Sequence, residues 1–491
     1  MRARPELRLL AGLLALSFAP GALAAGGYFS GSKGARASGR AGAFTARADD
    51  LSAVTLNPAG LSKLDLTLIQ VGNRFSYNAH EFTRAPTLDF GAVDNGVPPY
   101  VEFATVHNEQ PWQLLDPLLG VASNLGLEDW GFALFVFAPA GISRQRFPVE
   151  GGQRYMMVSR DARILNYTAS AAWSHGDVFG VGASLHWIHV PRLRYELVID
   201  ANQFPGDVNP VSSELDMLAT VTGSDPFTFN AVVGAWYRPV PFLELGAAAQ
   251  LIPTRIETES TLAIEPLSPE IDDEVELRRD GVAANDVRVI LPLPLTARVG
   301  VRYVQLEGER ERFDVELDVV YESWSRVRRF TVDGDGLVAN LLAQRVDVGL
   351  IQIEKRWRDT IGLHLGGDYA LLPDLLTVRG GAAYESAVSD GAHAHVDFVS
   401  GPQLSAALGA SLFARGVELA LAYEYRQELG FRTSEGEARV FQEVPGSQCE
   451  PPYTDQDTCH PAFLGRPAPP VNAGRYAAHS HVASLDVLYR F

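Results

Sequence analysis

Phe313-Asp-Val-Glu-Leu-Asp-Val-Val-Tyr321 alternates with a period of two. Phe313, Val315, Leu317, Val319 and Tyr321 fall on one face of a strand, and Asp314, Glu316 and Asp318 fall on the other. The pattern recurs toward the C-terminus. Val417, Leu419, Leu421, Tyr423 and Tyr425 stand against Glu418, Glu424 and Arg426, and Leu485, Val487, Tyr489 and Phe491 stand against Ser484, Asp486 and Arg490. A soluble β-sandwich alternates as well, so three further features decide the class. The alternating runs reach the ~9 to 11 residues that a tilted strand needs to cross a membrane, beyond the usual strand of ~5 or 6. Aromatic residues gather at strand ends beside short turns: Trp173 before Ser174–Asp177, Trp236 before Arg238–Pro241, and Tyr369 before Leu371–Asp374. The chain also stops on a strand that ends in Phe491, resembling the C-terminal signature of outer-membrane barrels that the barrel assembly machinery reads.

Composition narrows the field further. Across 491 residues, Lys+Arg 41 against Asp+Glu 59 gives a net charge of −18. That is the wrong sign for a surface that tracks phosphates, so nucleic acid is not an expected partner. Arg2, Arg4 and Arg8 precede the apolar run Leu9 to Phe18, and Ala22-Leu-Ala24 supplies a small-x-small cleavage site. Residues 1–24 therefore read as a secretory signal peptide, with the mature chain starting at Ala25. Beyond residue 25 no apolar run reaches the ~18 residues of a membrane-spanning helix.

Short connections fall near Ser174 to Asp177, Tyr237 to Phe242, Leu306 to Arg312, Leu371 to Leu375 and Ala414 to Gly416, and long ones near 200–227, 258–287, 332–358, 387–402 and 431–476. Short turns are periplasmic and long loops extracellular in this class. The expected fold is all-β: a transmembrane antiparallel β-barrel of about 14 strands. Counted back from Phe491, the strands lie near 65–82, 98–107, 130–146, 161–174, 177–198, 226–239, 241–258, 288–306, 312–331, 359–371, 374–387, 402–414, 416–430 and 478–491. Residues 25–63 lack alternation and are rich in small residues suited to close packing, so they are expected as an N-terminal plug, or hatch, inside the lumen of a barrel spanning 64–491.

The plug motifs Gly39-Arg-Ala-Gly42, Ala48-Asp-Asp50 and Asn57-Pro-Ala-Gly60 resemble the hatch of the FadL/TodX family of outer-membrane transporters for hydrophobic compounds. Matches continue in Leu291-Pro-Leu-Pro-Leu-Thr-Ala-Arg-Val-Gly300, Tyr321-Glu-Ser-Trp-Ser325, Arg358-Asp-Thr360, Gly366-Gly-Asp-Tyr369 and Leu376–Tyr384. The resemblance implies passive uptake of a hydrophobic small molecule, with long-chain fatty acids as the default and aromatic hydrocarbons as the alternative. It also implies capture in an extracellular groove, a pocket near the mature N-terminus, and sideways exit into the membrane. No enzyme, cofactor or metal is expected; a barrel hydrolase and a general porin are the rival classes. The pocket and hatch candidates are Ala25, Gly26, Tyr28, Phe29, Asn57, Pro58 and Ala59. Family members often carry an acidic-x-x-Arg stretch before the twelfth strand; here Val399-Ser-Gly-Pro-Gln-Leu404 replaces it, which removes that partner for Asp359 from an expected polar network.

The exit has a correlate in the residues themselves. Trp130-Gly-Phe-Ala-Leu-Phe-Val-Phe-Ala-Pro-Ala-Gly141 carries a proline and a glycine in a strand-forming run. Proline cannot donate to the ladder and a closed barrel has no edge to hide the loss, so pairing is expected to break at Ala138, Pro139, Ala140 and Gly141. The alternative is that Pro139 merely ends the strand. Phe204, Met217 and Leu218 are the expected capture groove, and Cys449 and Cys459, in one exported loop, an expected local disulfide. Asp49 and Asp50 are expected to anchor the plug to barrel arginines. His393 with His395, and His479 with His481, would each share a strand face as solvated loop or rim histidines. The barrel is expected to be a monomer in outer-membrane lipid.

Overall fold

In strand β9 (Arg310–Glu322, resumed as Arg329–Leu341) the burial is inverted relative to a soluble sheet. Val315, Leu317 and Tyr321 are 45, 48 and 41 % exposed, whereas Glu316 and Asp318 are fully buried. Such a strand has its solvent, lipid, on the apolar side and a charged interior on the other. The computed structural model describes residues 34–64, 67–89, 99–138, 144–201, 211–268, 275–341, 344–398, 401–441 and 470–491.

Fourteen antiparallel strands close into a barrel. The first eight are β1 (Leu68–Arg84), β2 (Pro117–Ser123), β3 (Trp130–Phe137), β4 (Ser159–His175), β5 (Phe179–Asp200), β6 (Asp216–Val240), β7 (Leu243–Gln250 and Arg255–Pro266) and β8 (Asp286–Pro292 and Thr296–Glu307). After β9 come β10 (Gln344–Glu354 and Thr360–Leu372), β11 (Leu376–Glu385), β12 (Gln403–Ala414), β13 (Val417–Glu428) and β14 (Gly474–Arg490). The ring closes where β1 pairs with β14, from Leu68 opposite Arg490 to Arg84 opposite Gly474.

Outward-facing aromatics mark the periplasmic rim. Trp173 meets Phe179 edge-on with centroids 5.7 Å apart, and Tyr489 stacks on Phe491 at 5.3 Å. A second group, Tyr77, Trp112, Tyr425 and His481, marks the other rim. Trp236 does not join the girdle: it is buried on the inner face, because its neighbour Tyr237 takes the outward position.

The structure corrects three expectations. The second strand is not 98–107 but Pro117–Ser123; Tyr100–Val101 pairs only with Thr87–Leu88, and Val106–His107 only touches β1. The long connections near 200–227, 258–287 and 332–358 are in large part strand, since β5 runs to Asp200, β6 starts at Asp216, and β9 and β10 stay paired from Arg329 with Glu354. His393 and His395 lie in a turn between strands rather than on a strand face.

The extended hairpins hide a switch in pattern. On the distal part of β7, Glu257, Glu259 and Glu265 are exposed while Ile256 and Leu262 are buried. Beyond the membrane the outer face meets water, so polar residues move outside and apolar residues turn into the lumen. The interior is therefore charged toward the periplasmic end and apolar toward the extracellular end.

Candidate functional site: a seated hatch beneath an apolar cavity

The hatch is built from short helices α1 (Ala35–Ser38) and α2 (Ala53–Leu56) and the 3-10 segment Pro58–Lys63. So compact a backbone fits a lumen only where side chains are small on both sides. A Cβ on Gly366 would lie 2.5 Å from the Arg40 carbonyl oxygen, and one on Gly182 would lie 2.6 Å from the Ala59 nitrogen. Strand glycines thus bring the wall up to the hatch backbone.

Charge then fixes the seat. Arg40, fully buried, donates to Asp314 at 2.8 Å, Glu316 at 3.0 Å and Asp368 at 2.9 Å, and its Nε donates to the Ala43 carbonyl at 2.7 Å. Asp318 accepts the backbone N–H groups of Phe44 and Thr45, both at 2.9 Å. Lys63 reaches Glu244, and Asp486 of β14 accepts the Ala35 N–H at 2.7 Å. Desolvated charge is tolerable here because Arg40 and Lys63 are ion-paired with barrel acids and Asp318 and Asp486 accept backbone N–H groups. The expected role of Asp49 and Asp50 is reversed: Asp49 pairs with Arg36 and Arg47 of the hatch itself, and Asp50 accepts from the Ser52 N–H. The anchors run from hatch cations and N–H groups to barrel acids, because the inner face of β9 is acidic.

Above the hatch, the apolar part of the lumen encloses a cavity of about 130 Å³. Ile199, Met217, Leu262, Val289, Val348 and Ile351 line it, from five strands. Polar groups on its lining converge toward the extracellular loops. Arg160 donates to the Asp397 carbonyl at 2.5 Å and lies over the Phe398 ring at 5.3 Å. The Lys355 ammonium donates to the Asp397 carboxylate at 2.7 Å, and His395 lies 2.7 Å from the same group. Burial would raise the Asp397 carboxyl, yet His395 and Lys355 hold it below the ordinary carboxylate range. Burial pushes His395 down, and Asp397 acts against that shift. Trp324, Phe330, Trp357 and Phe398 pack edge to face beside this cluster, with Trp324 and Trp357 centroids 5.0 Å apart.

Sequence-derived site residues fall as follows. Asn57 ties the hatch to the wall, donating to the Thr45 carbonyl at 2.8 Å and the Ala235 carbonyl at 3.0 Å. Pro58 and Ala59 abut Gly182, and Trp236 donates to the Ala59 carbonyl at 3.1 Å. Met217 lines the apolar cavity, while Leu218 packs in a neighbouring cluster with Phe82, Tyr155 and Met156. Asp359 accepts from the Tyr321 hydroxyl at 2.6 Å and the Ser325 N–H at 2.8 Å. These two contacts bring two of the quoted motifs together. Ala138 follows the end of β3. Ala25, Gly26, Tyr28, Phe29, Pro139, Ala140, Gly141, Phe204, Cys449 and Cys459 lie outside the described residues. Arg160, Lys355 and Asp397 were missed by sequence reasoning, and His395, expected to be solvated, is buried against Asp397 instead.

A closed barrel with lipid outside, a hatch locked in its throat and an apolar cavity above it defines a plugged outer-membrane channel for hydrophobic molecules. The chain belongs to the outer membrane protein transport family OMPP1/FadL/TodX, whose model matches residues 16–411. Members of this family are transport channels rather than enzymes. Among solved structures, the chain is similar to a Pseudomonas aeruginosa FadL homologue, at 16% identity and a TM-score of 0.70 over 96% of this chain and 100% of that one. It is also similar to the P. putida toluene transporter TodX (15%, TM-score 0.62, 94% of this chain and 99% of that one). A third similar structure is the CymD monoaromatic hydrocarbon channel (15%, 0.57, 93% and 97%). At these identities the likeness is one of fold. No curated protein matches the chain by sequence.

Proposed function

We propose that this channel takes up long-chain fatty acids. The observation that carries the reading is the apolar cavity with Arg160 on its lining beside Lys355. There the Lys355 ammonium pairs with the Asp397 carboxylate and the Arg160 guanidinium donates to the Asp397 backbone carbonyl, which puts two basic side chains at the polar end of an otherwise apolar cavity. Burying an acyl chain yields roughly 0.8 kcal/mol per methylene, enough to draw it from water with no energy source. Exit is sideways, past the hatch and through the wall at Ala138–Gly141. The argument from proline supports this route, as does the apolar groove on the lipid side of β1 to β4 formed by Ile69, Leu119, Val121, Leu134 and Val136. The protein works as a monomer, after cleavage of its leader and insertion guided by Phe491.

A second reading, uptake of monoaromatic hydrocarbons, is favoured by the Trp324, Phe330, Trp357 and Phe398 cluster and by the named substrates of the TodX and CymD channels. Equilibrium binding of labelled oleate and of toluene to the purified barrel decides between them. Saturable oleate binding that Arg160→Gln weakens supports the first. Toluene binding without oleate binding replaces it with the second.

A further inference from the structure

Between the apolar cavity and the hatch lies a second, smaller cavity of different character. Its lining includes Thr55 from the hatch, Asn166, His186, Asn230 and Arg298 from the wall, and Leu293, which also lines the apolar cavity above. The two spaces are thus neighbours along the lumen. Arg298 is 5% exposed, and its Nη1 has no hydrogen-bond partner. The carboxylates around it are Glu322, Asp318 and Glu385, and none of them accepts from its Nη1. Asp318 holds the Phe44 and Thr45 N–H groups, and Glu322 accepts the Trp324 indole N–H at 2.7 Å. The Asn230 side-chain oxygen is likewise buried without a partner. By contrast, His186 is paired with Thr168 at 2.7 Å and Gln250 with Thr254 at 3.0 Å. A buried guanidinium donor left unmade costs free energy that an arriving acceptor recovers.

We infer that Arg298 forms a second anion subsite, which receives the carboxylate of an acyl-chain ligand after it leaves the extracellular end of the lumen. The headgroup moves from the Arg160 and Lys355 end to Arg298 while the chain stays in contact with Leu293 and the apolar wall. The Asn230 side-chain NH2 group lies on the same lining and can donate to a bound oxygen, while the Thr55 hydroxyl already donates to the Ser52 carbonyl at 3.1 Å. An uncharged hydrocarbon gains nothing from this subsite. Arg298 therefore favours carboxylated ligands in transit, whereas Arg160 favours them in capture. This inference rests on the fatty-acid reading proposed above.

The test pairs binding with uptake. Oleate binding is measured on the purified barrel, and uptake of labelled oleate and of toluene is measured in cells without another such transporter. The unaltered protein is compared with Arg298→Gln and Arg298→Lys, and barrel folding is checked by heat-modifiable gel migration. The expected result is that Arg298→Gln lowers the oleate-to-toluene uptake ratio about tenfold while oleate still binds, and that Arg298→Lys restores most of the ratio. An unchanged ratio in folded, oleate-binding Arg298→Gln overturns the subsite alone. So does an equal loss of oleate and toluene uptake, which marks a structural role. Absence of oleate binding to the unaltered barrel overturns the fatty-acid reading and the subsite with it.

Discussion

Replacing Arg40 with Met removes the cation at the centre of the hatch seat. The guanidinium meets Asp314, Glu316 and Asp368 within 3.0 Å, and all four groups are buried. Met fills part of the volume but leaves barrel acids facing one another across a dry space. Arg47 and Arg302 still reach Asp314, at 3.2 Å for Arg47, while Glu316 keeps only the Ala46 N–H at 2.6 Å and the weak Arg47 N–H. Stripping one partner from a buried ion pair costs about 3 to 5 kcal/mol. At about 1.4 kcal/mol per factor of ten, the equilibrium for hatch release shifts by roughly two to three and a half orders of magnitude. The barrel ladders do not involve Arg40, so the wall stays folded. The assay is single-channel conductance in planar bilayers, with protease protection of residues 34–64 measured alongside. The unaltered protein is expected to conduct ions poorly, and Arg40→Met to show frequent open events and a cleavable hatch, with Arg40→Lys in between. A variant that conducts no more than the unaltered protein and keeps its hatch protected refutes the idea that this cluster holds the hatch.

Gly182→Val places a side chain against Pro58 and Ala59, and is expected to fold as a barrel with its hatch displaced; a protected hatch by limited proteolysis would contradict the close approach. Trp236→Phe keeps the ring but loses the indole donor to Ala59 and Ser62, costing about 1 kcal/mol and raising hatch cleavage several-fold without opening a stable pore. Met217→Asn puts an unpaired amide on the apolar cavity wall and is expected to weaken ligand binding about tenfold, read by titration of labelled oleate or toluene. The Asp397 carboxyl is held below its unfolded value, so its stabilisation is present above about pH 4 and disappears as pH falls through the depressed folded value. Hydrogen exchange of residues 391–398, compared with Asp397→Asn, should show a difference at pH 6 that vanishes in strong acid; a difference that vanishes already at pH 6 excludes this account.

The barrel was legible wherever lipid faces one side of a strand, because there the alternation is strong and its sense is set by the membrane. Phe313 to Tyr321 and Leu485 to Phe491 are of this kind. The second strand was not, since Pro117–Ser123 is short and offers Leu118, Leu119 and Val121 with no charge to contrast them. The distal hairpins were read as loops because their outer faces are polar, as in Glu257, Glu259 and Glu265, although the inner faces are apolar. Recognising that the sense of alternation can invert along one strand would have recovered them. The hatch was readable from its small residues, but its electrostatics were read backwards: only the closed barrel shows that β9 turns its acids inward. The cavity was not readable at all, since Ile199, Leu262, Val289 and Val348 meet through ring closure rather than through sequence spacing.

Ring closure also has a kinetic side. The strands that complete the barrel are its first and last, and Thr67 and Phe491 exchange both of their backbone hydrogen bonds, at 3.1 and 3.0 Å. On that seam Asp486 binds Gln70 of β1 at 2.8 Å and the Ala35 N–H of the hatch, a contact spanning 451 residues. Nothing local can form this junction early, and contacts of such sequence separation make folding slow. The seam and the hatch share one carboxylate, so joining the ends of the sheet also sets the acceptor that holds the first turn of the hatch.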